Sequence, residues 1–306
     1  MRLSHVKQSV PGSGFVDPKV LARIDNLELV AKTVVDGFIN GLHRSPYLGL
    51  SLDFAEHRQY MPGDDIRRID WRLYARTDRY YVKEYEADTN ANFVALLDMS
   101  KSMDYASRGI SKIDYGRFLA ASLAYFSSEQ RDRVGLITFD QDIVDYVPAS
   151  AKHLEVVLHT LDRLVPARPG TYDAPLRKIG ESLRRRGIVA LISDFYADPQ
   201  AIFDSVSPLK ARGHDVLVFH ILDPAEIDFP FEDAASFQDL ETGESIPVVP
   251  ETQRTQYREL IQNHVAKLSK LFTDARIDYG LFDTATPLDY ALFTYLSNRE
   301  RLSRTR

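Results

Sequence analysis

One short segment of the chain places a carboxylate and two hydroxyls at alternating positions. Asp98, Ser100 and Ser102 form an Asp-x-Ser-x-Ser sequence directly after the apolar run Phe93–Leu97. If the loop curls back on itself, these oxygens converge on one point, and all-oxygen ligands suit hard cations. The spacing therefore predicts a divalent-cation site, with Mg²⁺ as the expected ion and Mn²⁺ or Ca²⁺ as alternatives. The simpler alternative is that the serines cap the next turn and Asp98 bonds to the backbone.

Aspartates also stand at the ends of other apolar runs. Five long runs end in this way, at Asp98, Asp140, Asp194, Asp223 and Asp283. If the runs are parallel strands, their carboxyl ends lie along one edge of a sheet, and ligands bind there where the strand order reverses. Asp140, Asp223 and Asp283 are expected to be ordinary turn and helix-capping residues. Asp194, preceded by Ser193, is a second candidate for the site.

The apolar runs themselves predict the elements that position these residues. The runs are Phe93–Leu97, Val134–Phe139, Ile188–Ile192, Val216–Leu222 and Ile277–Phe282. They are largely apolar and do not alternate with polar residues, which is typical of strands buried on both faces of a parallel sheet. Predicted helices separate most of them, at about 114–131, 152–164, 173–186, 199–211, 251–275 and 288–303. This alternation predicts a Rossmann-like α/β fold with a doubly wound, mostly parallel sheet.

Two hairpins are expected as well. The run Ile143–Val147 follows its predecessor across three residues, so it must return as an antiparallel strand at a sheet edge. A second hairpin is expected around residues 229–249.

The first 90 residues differ in character from the rest. Residues 1–17 are predicted to be a flexible N-terminus, and Pro18–Leu42 has the apolar spacing of an amphipathic helix. We expect this helix to cover the β-rich segment at 48–90. The predicted division is therefore 1–17, then 18–90 as a helix and small β extension, then 91–306 as the main α/β domain.

Composition excludes several classes of protein. The 306 residues carry a formal net charge of −6 and contain no cysteine. The acidic balance argues against a nucleic-acid partner, and the lack of cysteine excludes disulfides and thiol chemistry. No apolar run approaches the roughly 18 residues of a membrane span, and the N-terminus lacks a signal-peptide core. A cytoplasmic protein is the expectation.

Enzyme motifs are largely missing. The sequence contains no phosphate-binding P-loop, no dinucleotide glycine motif and no Gly-x-Ser-x-Gly nucleophile elbow. A dehalogenase-type phosphatase needs a second aspartate where Ser100 stands. A metal-dependent hydrolase that uses a cation at Asp98 and Asp194 remains the alternative, since a bound cation can activate water. No general base is evident near the serines, which favours binding without turnover.

These residues together resemble a known site. Asp98, Ser100, Ser102, Thr171 and Asp194 look like the metal-ion-dependent adhesion site of von Willebrand factor A domains. The resemblance implies that the two serines and Thr171 bind the ion directly, while the aspartates act directly or through water. It also implies that an acidic side chain of a partner completes the coordination. Thr160 and Ser182 lie near Thr171 in sequence and stay open as alternatives to it.

The segment before the metal motif resembles a narrower group, the bacterial domain of unknown function 58 family. The matching residues are Arg58, Tyr60, Gly63, Asp64, Arg67, Ile69, Asp70, Trp71, Ala75 and Arg76. The resemblance covers roughly residues 46–300. Members are commonly associated with MoxR-type AAA-plus ATPases, so it implies a partner protein, either that ATPase or its client. It therefore implies a non-enzymatic adaptor or co-chaperone. Many members carry two transmembrane helices before this region, and none is evident here.

The charged residues of this segment allow two interpretations. Arginines and tyrosines between residues 58 and 86 could grip nucleic acid, but interspersed acidic residues cancel their charge. We therefore expect a salt-bridged network that fixes the β extension against the main domain, with Trp71 as a packing anchor. Part of the same surface could also dock the partner.

Overall fold

The computed structural model describes residues 18–24, 26–44, 57–59, 74, 79–83, 91–289 and 292. The helices are α1 (Pro18–Leu21), α2 (Leu27–Arg44), α3 (Lys112–Glu129), α4 (Leu154–Asp162), α5 (Asp173–Ser182), α6 (Pro199–Ala211), α7 (Pro224–Asp228) and α8 (Pro250–Asp274). The strands are β1 (His57–Gln59), β2 (Tyr81–Lys83), β3 (Asn92–Asp98), β4 (Arg133–Phe139), β5 (Ile143–Ser150), β6 (Ile188–Ser193), β7 (Asp215–Leu222), β8 (Ala235–Gln238), β9 (Ser245–Val248) and β10 (Asp278–Asp283).

A six-stranded sheet forms the centre of the molecule. Its strand order is β10-β7-β6-β3-β4-β5, and neighbouring strands are parallel except for the antiparallel pair of β4 and β5. The doubly wound sheet with one antiparallel edge strand is therefore confirmed. The chain adds β4 and β5 on one side of β3 and then crosses to add β6 on the other. The strand order consequently reverses between β3 and β6, which is where such sheets bind ligands.

Helices cover both faces of this sheet. Successive side chains of a strand point to opposite faces, so Phe93, Ala95 and Leu97 pack with α3 and α4. Val94 and Leu96 belong to the other core, with α5, α6 and α8. Burial on both faces explains why the strand sequences are largely apolar and do not alternate.

The N-terminal helix packs differently from our expectation. Pro18–Leu42 forms two helices, α1 and α2, separated by a short turn. The apolar face of α2, with Leu27, Val30 and Val34, joins the core that contains α3. The expectation that this helix covers the β-rich segment was therefore wrong. The reason is that buried residues occupy most of the circumference of α3. The side of α3 that faces away from the sheet must therefore also be covered, and α2 covers it.

Two small two-stranded sheets lie outside the main sheet. The predicted hairpin at 229–249 is present as the antiparallel pair of β8 and β9. In the β-rich segment at 48–90, β1 pairs with β2. Most of that segment, including Trp71 and its proposed salt-bridged network, lies outside the described residues, as do residues 1–17 and most of the predicted helix 288–303. Among the helices that the structure describes, none has the length and apolar character to cross a bilayer.

Candidate metal centre

The reversal of strand order brings the ends of β3 and β6 side by side. Asp98 is the last residue of β3, and its Oδ2 accepts a hydrogen bond of 2.6 Å from the hydroxyl of Ser193, the last residue of β6. Both side chains are buried. The loops that carry residues 98–102, 168–172 and 193–195 meet at this edge of the sheet, which we call the rim.

The first of these loops curls back as the sequence predicts. The other oxygen of Asp98, Oδ1, accepts the backbone N–H of Ser100 at 2.8 Å. The hydroxyl oxygens of Ser100 and Ser102 lie 3.1 Å apart. Ser100 precedes a turn of 3₁₀ helix at Lys101–Asp104, yet its side chain makes no capping hydrogen bond to that turn. The backbone bond of Asp98 fits the simpler alternative, whereas a capping role for Ser100 does not.

The second loop approaches the first very closely at Gly170. A Cβ atom at this position would lie 2.6 Å from the Cβ of Ser100 and 3.6 Å from Asp98 Oδ1. The N–H of Lys101 donates to the carbonyl of Arg168 at 2.9 Å, which ties the two loops together. Glycine is therefore required at 170 by space alone, since any side chain would push the serine loop away.

Thr171 follows Gly170 and is exposed. Its N–H donates to the carbonyl of Asp140 at 3.2 Å, which fixes its backbone beside the end of β4. Thr160 and Ser182, the alternatives to Thr171, are not part of the rim. The hydroxyl of each donates a hydrogen bond to a carbonyl of its own helix. The structure thus brings the loop of Thr171 to the rim, and direct coordination by its hydroxyl stays a prediction.

The side chain of Tyr172 anchors this loop to the ends of β3 and β6. Its hydroxyl lies 2.9 Å from the Oγ of Ser193 and donates to Asp98 Oδ2 at 3.4 Å. Its ring stacks on Phe195 with the centroids 5.8 Å apart. Sequence reasoning missed Tyr172, although its position directly after Thr171 was a usable signal.

Asp194 reaches the rim, but its carboxylate already has a cationic partner. The ammonium of Lys112, the first residue of α3, lies 2.7 Å from Asp194 Oδ2 and 2.6 Å from Glu226 Oε1. Burial opposes the charged ammonium, yet Asp194 and Glu226 raise the pKa of Lys112 above its usual value. Sequence reasoning missed Lys112 and Glu226. The isoleucines at 110 and 113 are the one signal that the lysine would be buried.

Charge at the rim is unbalanced in favour of the carboxylates. Burial, and secondly the negative charge of Asp194, raise the pKa of Asp98 to about 7. The ammonium of Lys112 faces Asp194 and Glu226, and among the described residues Asp98 forms no ion pair. An added cation would stabilise the ionised form of Asp98. This imbalance fits a cation-binding site.

The spacing of the hydroxyls also fits a small divalent ion. Magnesium–oxygen distances of about 2.1 Å in an octahedron place adjacent ligand oxygens about 3 Å apart, close to the 3.1 Å between Ser100 Oγ and Ser102 Oγ. Within the described residues, no group of three or more His, Asp or Glu side chains is placed to hold a metal ion. A site at the rim would accordingly depend on hydroxyl oxygens together with the carboxylate of Asp98.

The remaining strand-end aspartates have structural roles. Asp223 caps α7 in a capping box with Glu226 and also bonds to Ser107. Asp140 accepts the N–H of Asp142, and Asp283 accepts the N–H of Ala285. These are the turn and capping contacts expected from the sequence.

Comparison with known proteins places the chain in a family. The family described as "Protein of unknown function DUF58" matches residues 56–270. The chain belongs to this family. An uncharacterized protein of Mycobacterium bovis, Mb1516, is 32% identical to this DUF58 protein over 235 residues, which cover 74% of this chain and 73% of the relative. The Mycobacterium tuberculosis protein Rv1480 matches with the same values. The family resemblance seen in the sequence is thereby confirmed.

Three solved structures are similar to this DUF58 protein over about two thirds of its chain. BatB from Bacteroides thetaiotaomicron is 18% identical, with 69% of this chain and 99% of that chain covered and a TM-score of 0.49. An aerotolerance-related membrane protein from Bacteroides fragilis is 16% identical, with 68% and 99% covered and a TM-score of 0.48. The von Willebrand factor A (VWA) domain of SpRpn10 is 10% identical, with 65% and 92% covered and a TM-score of 0.36.

Proposed function

We propose that this DUF58 protein is a non-enzymatic, metal-dependent protein-interaction module. Its rim binds a divalent cation, with Mg²⁺ as the expected ion, and the bound ion recruits an acidic side chain of a partner protein. The observation that carries this proposal is the convergence of Asp98, Ser100 and Ser102 with the Gly170–Thr171 loop at the reversal of strand order.

The chemistry of the ligands supports binding of a carboxylate. The oxygens of Ser100, Ser102 and Thr171 are neutral, so an ion held mainly by them would keep much of its positive charge. Lys112 forms a buried ion pair with Asp194, so less of the negative charge of Asp194 is available to the metal ion. A partially compensated divalent ion at an exposed edge attracts an outside carboxylate.

The partner follows from the family resemblance. DUF58 proteins are commonly associated with MoxR-type AAA-plus ATPases, so we propose that this chain serves as an adaptor or co-chaperone of such an ATPase or of its client. The acidic side chain that completes the site would belong to that ATPase or client.

Metal binding is tested by calorimetry with Mg²⁺ and Mn²⁺. We expect wild-type protein to bind one divalent ion, and the Asp98→Ala and Ser100→Ala variants to lose binding while they stay folded by circular dichroism. Asp142→Ala is the matched control, because Asp142 lies on a neighbouring loop but pairs with Lys178 on the surface. Equal binding by wild type and Asp98→Ala would disprove the site.

Partner binding and catalysis are separated by two further measurements. A pull-down with a purified MoxR-type ATPase should recover the complex with Mg²⁺ and lose it with chelator or with Asp98→Ala. Phosphoester and peptide substrates should not turn over. Metal-dependent turnover that disappears in Asp98→Ala would instead establish the hydrolase alternative.

A further inference from the structure

A carboxylate of the chain itself already binds at the rim. Glu241 comes from the turn between β8 and β9, 139 residues away from Ser102 in the sequence. Its Oε1 accepts the backbone N–H of Ser102 at 3.0 Å, and its Oε2 accepts the backbone N–H of Gly170 at 2.7 Å. The two donors belong to different loops, so one carboxylate bridges the serine loop and the Gly170–Thr171 loop.

These two donors form a recognition point for a carboxylate. Backbone N–H groups that converge from two loops bind an anion through charge-assisted hydrogen bonds. Ser102 also supplies one of the hydroxyls of the proposed metal site, so the carboxylate lies directly beside that site. The place that a partner's acidic side chain would approach is therefore occupied by Glu241.

The turn that carries Glu241 is built to hold it in this position. Asp239 Oδ1 accepts the N–H groups of Glu241 and Thr242 at 2.7 and 3.2 Å. Gly243 has a φ of +78°, which closes the turn back onto Asp239. The carboxylate is thus presented by an ordered turn.

The rest of the hairpin makes few buried contacts. All but one residue of each strand are exposed, including Ile246 at 61%. Near the turn, Phe237 of β8 packs against Phe229 and Phe231, with ring centroids 5.7 and 4.8 Å apart. The hairpin is consequently held by the aromatic contacts of Phe237 and by the hydrogen bonds of Glu241, and loss of the Glu241 bonds leaves the aromatic contacts in place.

We propose that Glu241 is an internal ligand of the rim, which an acidic side chain of a partner protein displaces from the N–H groups of Ser102 and Gly170. The hairpin formed by β8 and β9 then controls access to the site. This inference rests on the proposed function, because it names what the incoming carboxylate must replace. Removal of the Glu241 carboxylate leaves the recognition point free for an added acidic group.

The test uses the full chain in Mg²⁺ and the peptide acetyl-Gly-Glu-Gly-amide as probe. Binding is followed by NMR through the amide signals of residues 102 and 170. We expect Glu241→Ala to bind the peptide about tenfold or more tightly than wild type, because a site that is occupied internally is available only for a fraction of the time. The acetyl-Gly-Gln-Gly-amide peptide should not bind either protein measurably.

Glu244→Ala is the matched control, since Glu244 lies exposed on the same turn; it should bind the peptide as wild type does. Equal peptide affinity in wild type and Glu241→Ala would overturn the inference. Loss of Mg²⁺ binding in Glu241→Ala would also overturn it, because Glu241 would then be a metal ligand. Failure of wild type to bind Mg²⁺ counts against the proposed function, whereas the peptide difference between the variants reports on Glu241 alone.

Discussion

Lys112 and Asp194 form an ion pair that is closed off from solvent. The ammonium lies 2.7 Å from the carboxylate, and the two side chains are 0% and 1% exposed. Asp194 is the residue that the VWA resemblance assigns to a metal ion. The positive charge of the lysine therefore compensates the negative charge of this carboxylate from inside the protein. An added cation would interact mainly with the other negative charges of the rim.

Replacement of this lysine should be costly. Lys112→Met keeps a long side chain but leaves Asp194 and Glu226 without the ammonium that binds both. We expect the free energy of unfolding at pH 7 to fall by about 3–5 kcal/mol, as when one partner of a buried pair is removed. Urea denaturation measures this. Lys178→Met is the control, since Lys178 pairs with Asp142 on the surface, and its midpoint should stay almost unchanged. Equal effects of the two substitutions would contradict the buried pair.

A methyl group at position 170 should displace the serine loop. In Gly170→Ala the new Cβ would lie 2.6 Å from the Cβ of Ser100. We expect a loss of stability of about 1–3 kcal/mol together with loss of Mg²⁺ binding in calorimetry. In Gly109→Ala, the positive φ of +87° causes backbone strain, but no atom of the described residues lies within 4 Å of the new Cβ. That control should lose stability and keep the cation. Retained Mg²⁺ binding in Gly170→Ala would refute the role of this close approach.

Burial of His220 predicts a dependence of stability on pH. Burial, and secondly the neighbouring His264, lower the pKa of His220 from 6.5 to about 3. Between these values the unfolded chain binds a proton that the folded chain does not, so the free energy of unfolding rises with pH, by at most about 1.4 kcal/mol per unit. The contribution is complete above pH 6.5 and is lost as the pH falls toward 3.

His220→Phe removes this titration. The variant keeps an aromatic ring against Phe195 but loses the hydrogen bond of 2.7 Å between His220 Nδ1 and the hydroxyl of Tyr279. We expect a lower overall stability and a shallower increase between pH 4 and 6.5 than in wild type, measured by urea denaturation at several pH values. Parallel curves for the two proteins would show that His220 is not the group responsible.

The hydroxyl of Tyr172 should have a moderate effect. Tyr172→Phe keeps the stack on Phe195 and removes the hydrogen bonds to Ser193 and Asp98. We expect a loss of about 1 kcal/mol in the free energy of unfolding. Tyr146→Phe on the edge strand β5, where the side chain is 48% exposed, should have little effect. A neutral Tyr172→Phe would mean that the hydrogen bonds from Ser193 and Ser100 position Asp98 without the Tyr172 hydroxyl.

Much of the fold could be predicted because burial on both faces leaves a direct trace in sequence. The runs at Val134–Phe139 and Val216–Leu222 are apolar except for Thr138 and His220, and each observed strand extends the predicted one by a single residue at its start. The packing of α2 could not be predicted in the same way. An apolar stripe shows that a helix needs a cover, but it does not identify which surface provides it.

The geometry of the rim was predictable where its residues are close in sequence. Asp98, Ser100 and Ser102 identify their loop by spacing alone. Lys112 and Glu241 reach the rim through the tertiary fold, and each resembles an ordinary charged surface residue in the sequence. Long-range geometry decides that one is buried and that the other bridges two loops.

The bond between Asp98 and Ser193 joins residues that are 95 positions apart. It can form only after β3 and β6 have paired across the whole segment between them, a slow step in folding because a long loop must close first. Any ligand that needs the complete rim would then stabilise the native state more than the transition state. It would prolong the lifetime of the folded protein without accelerating its formation.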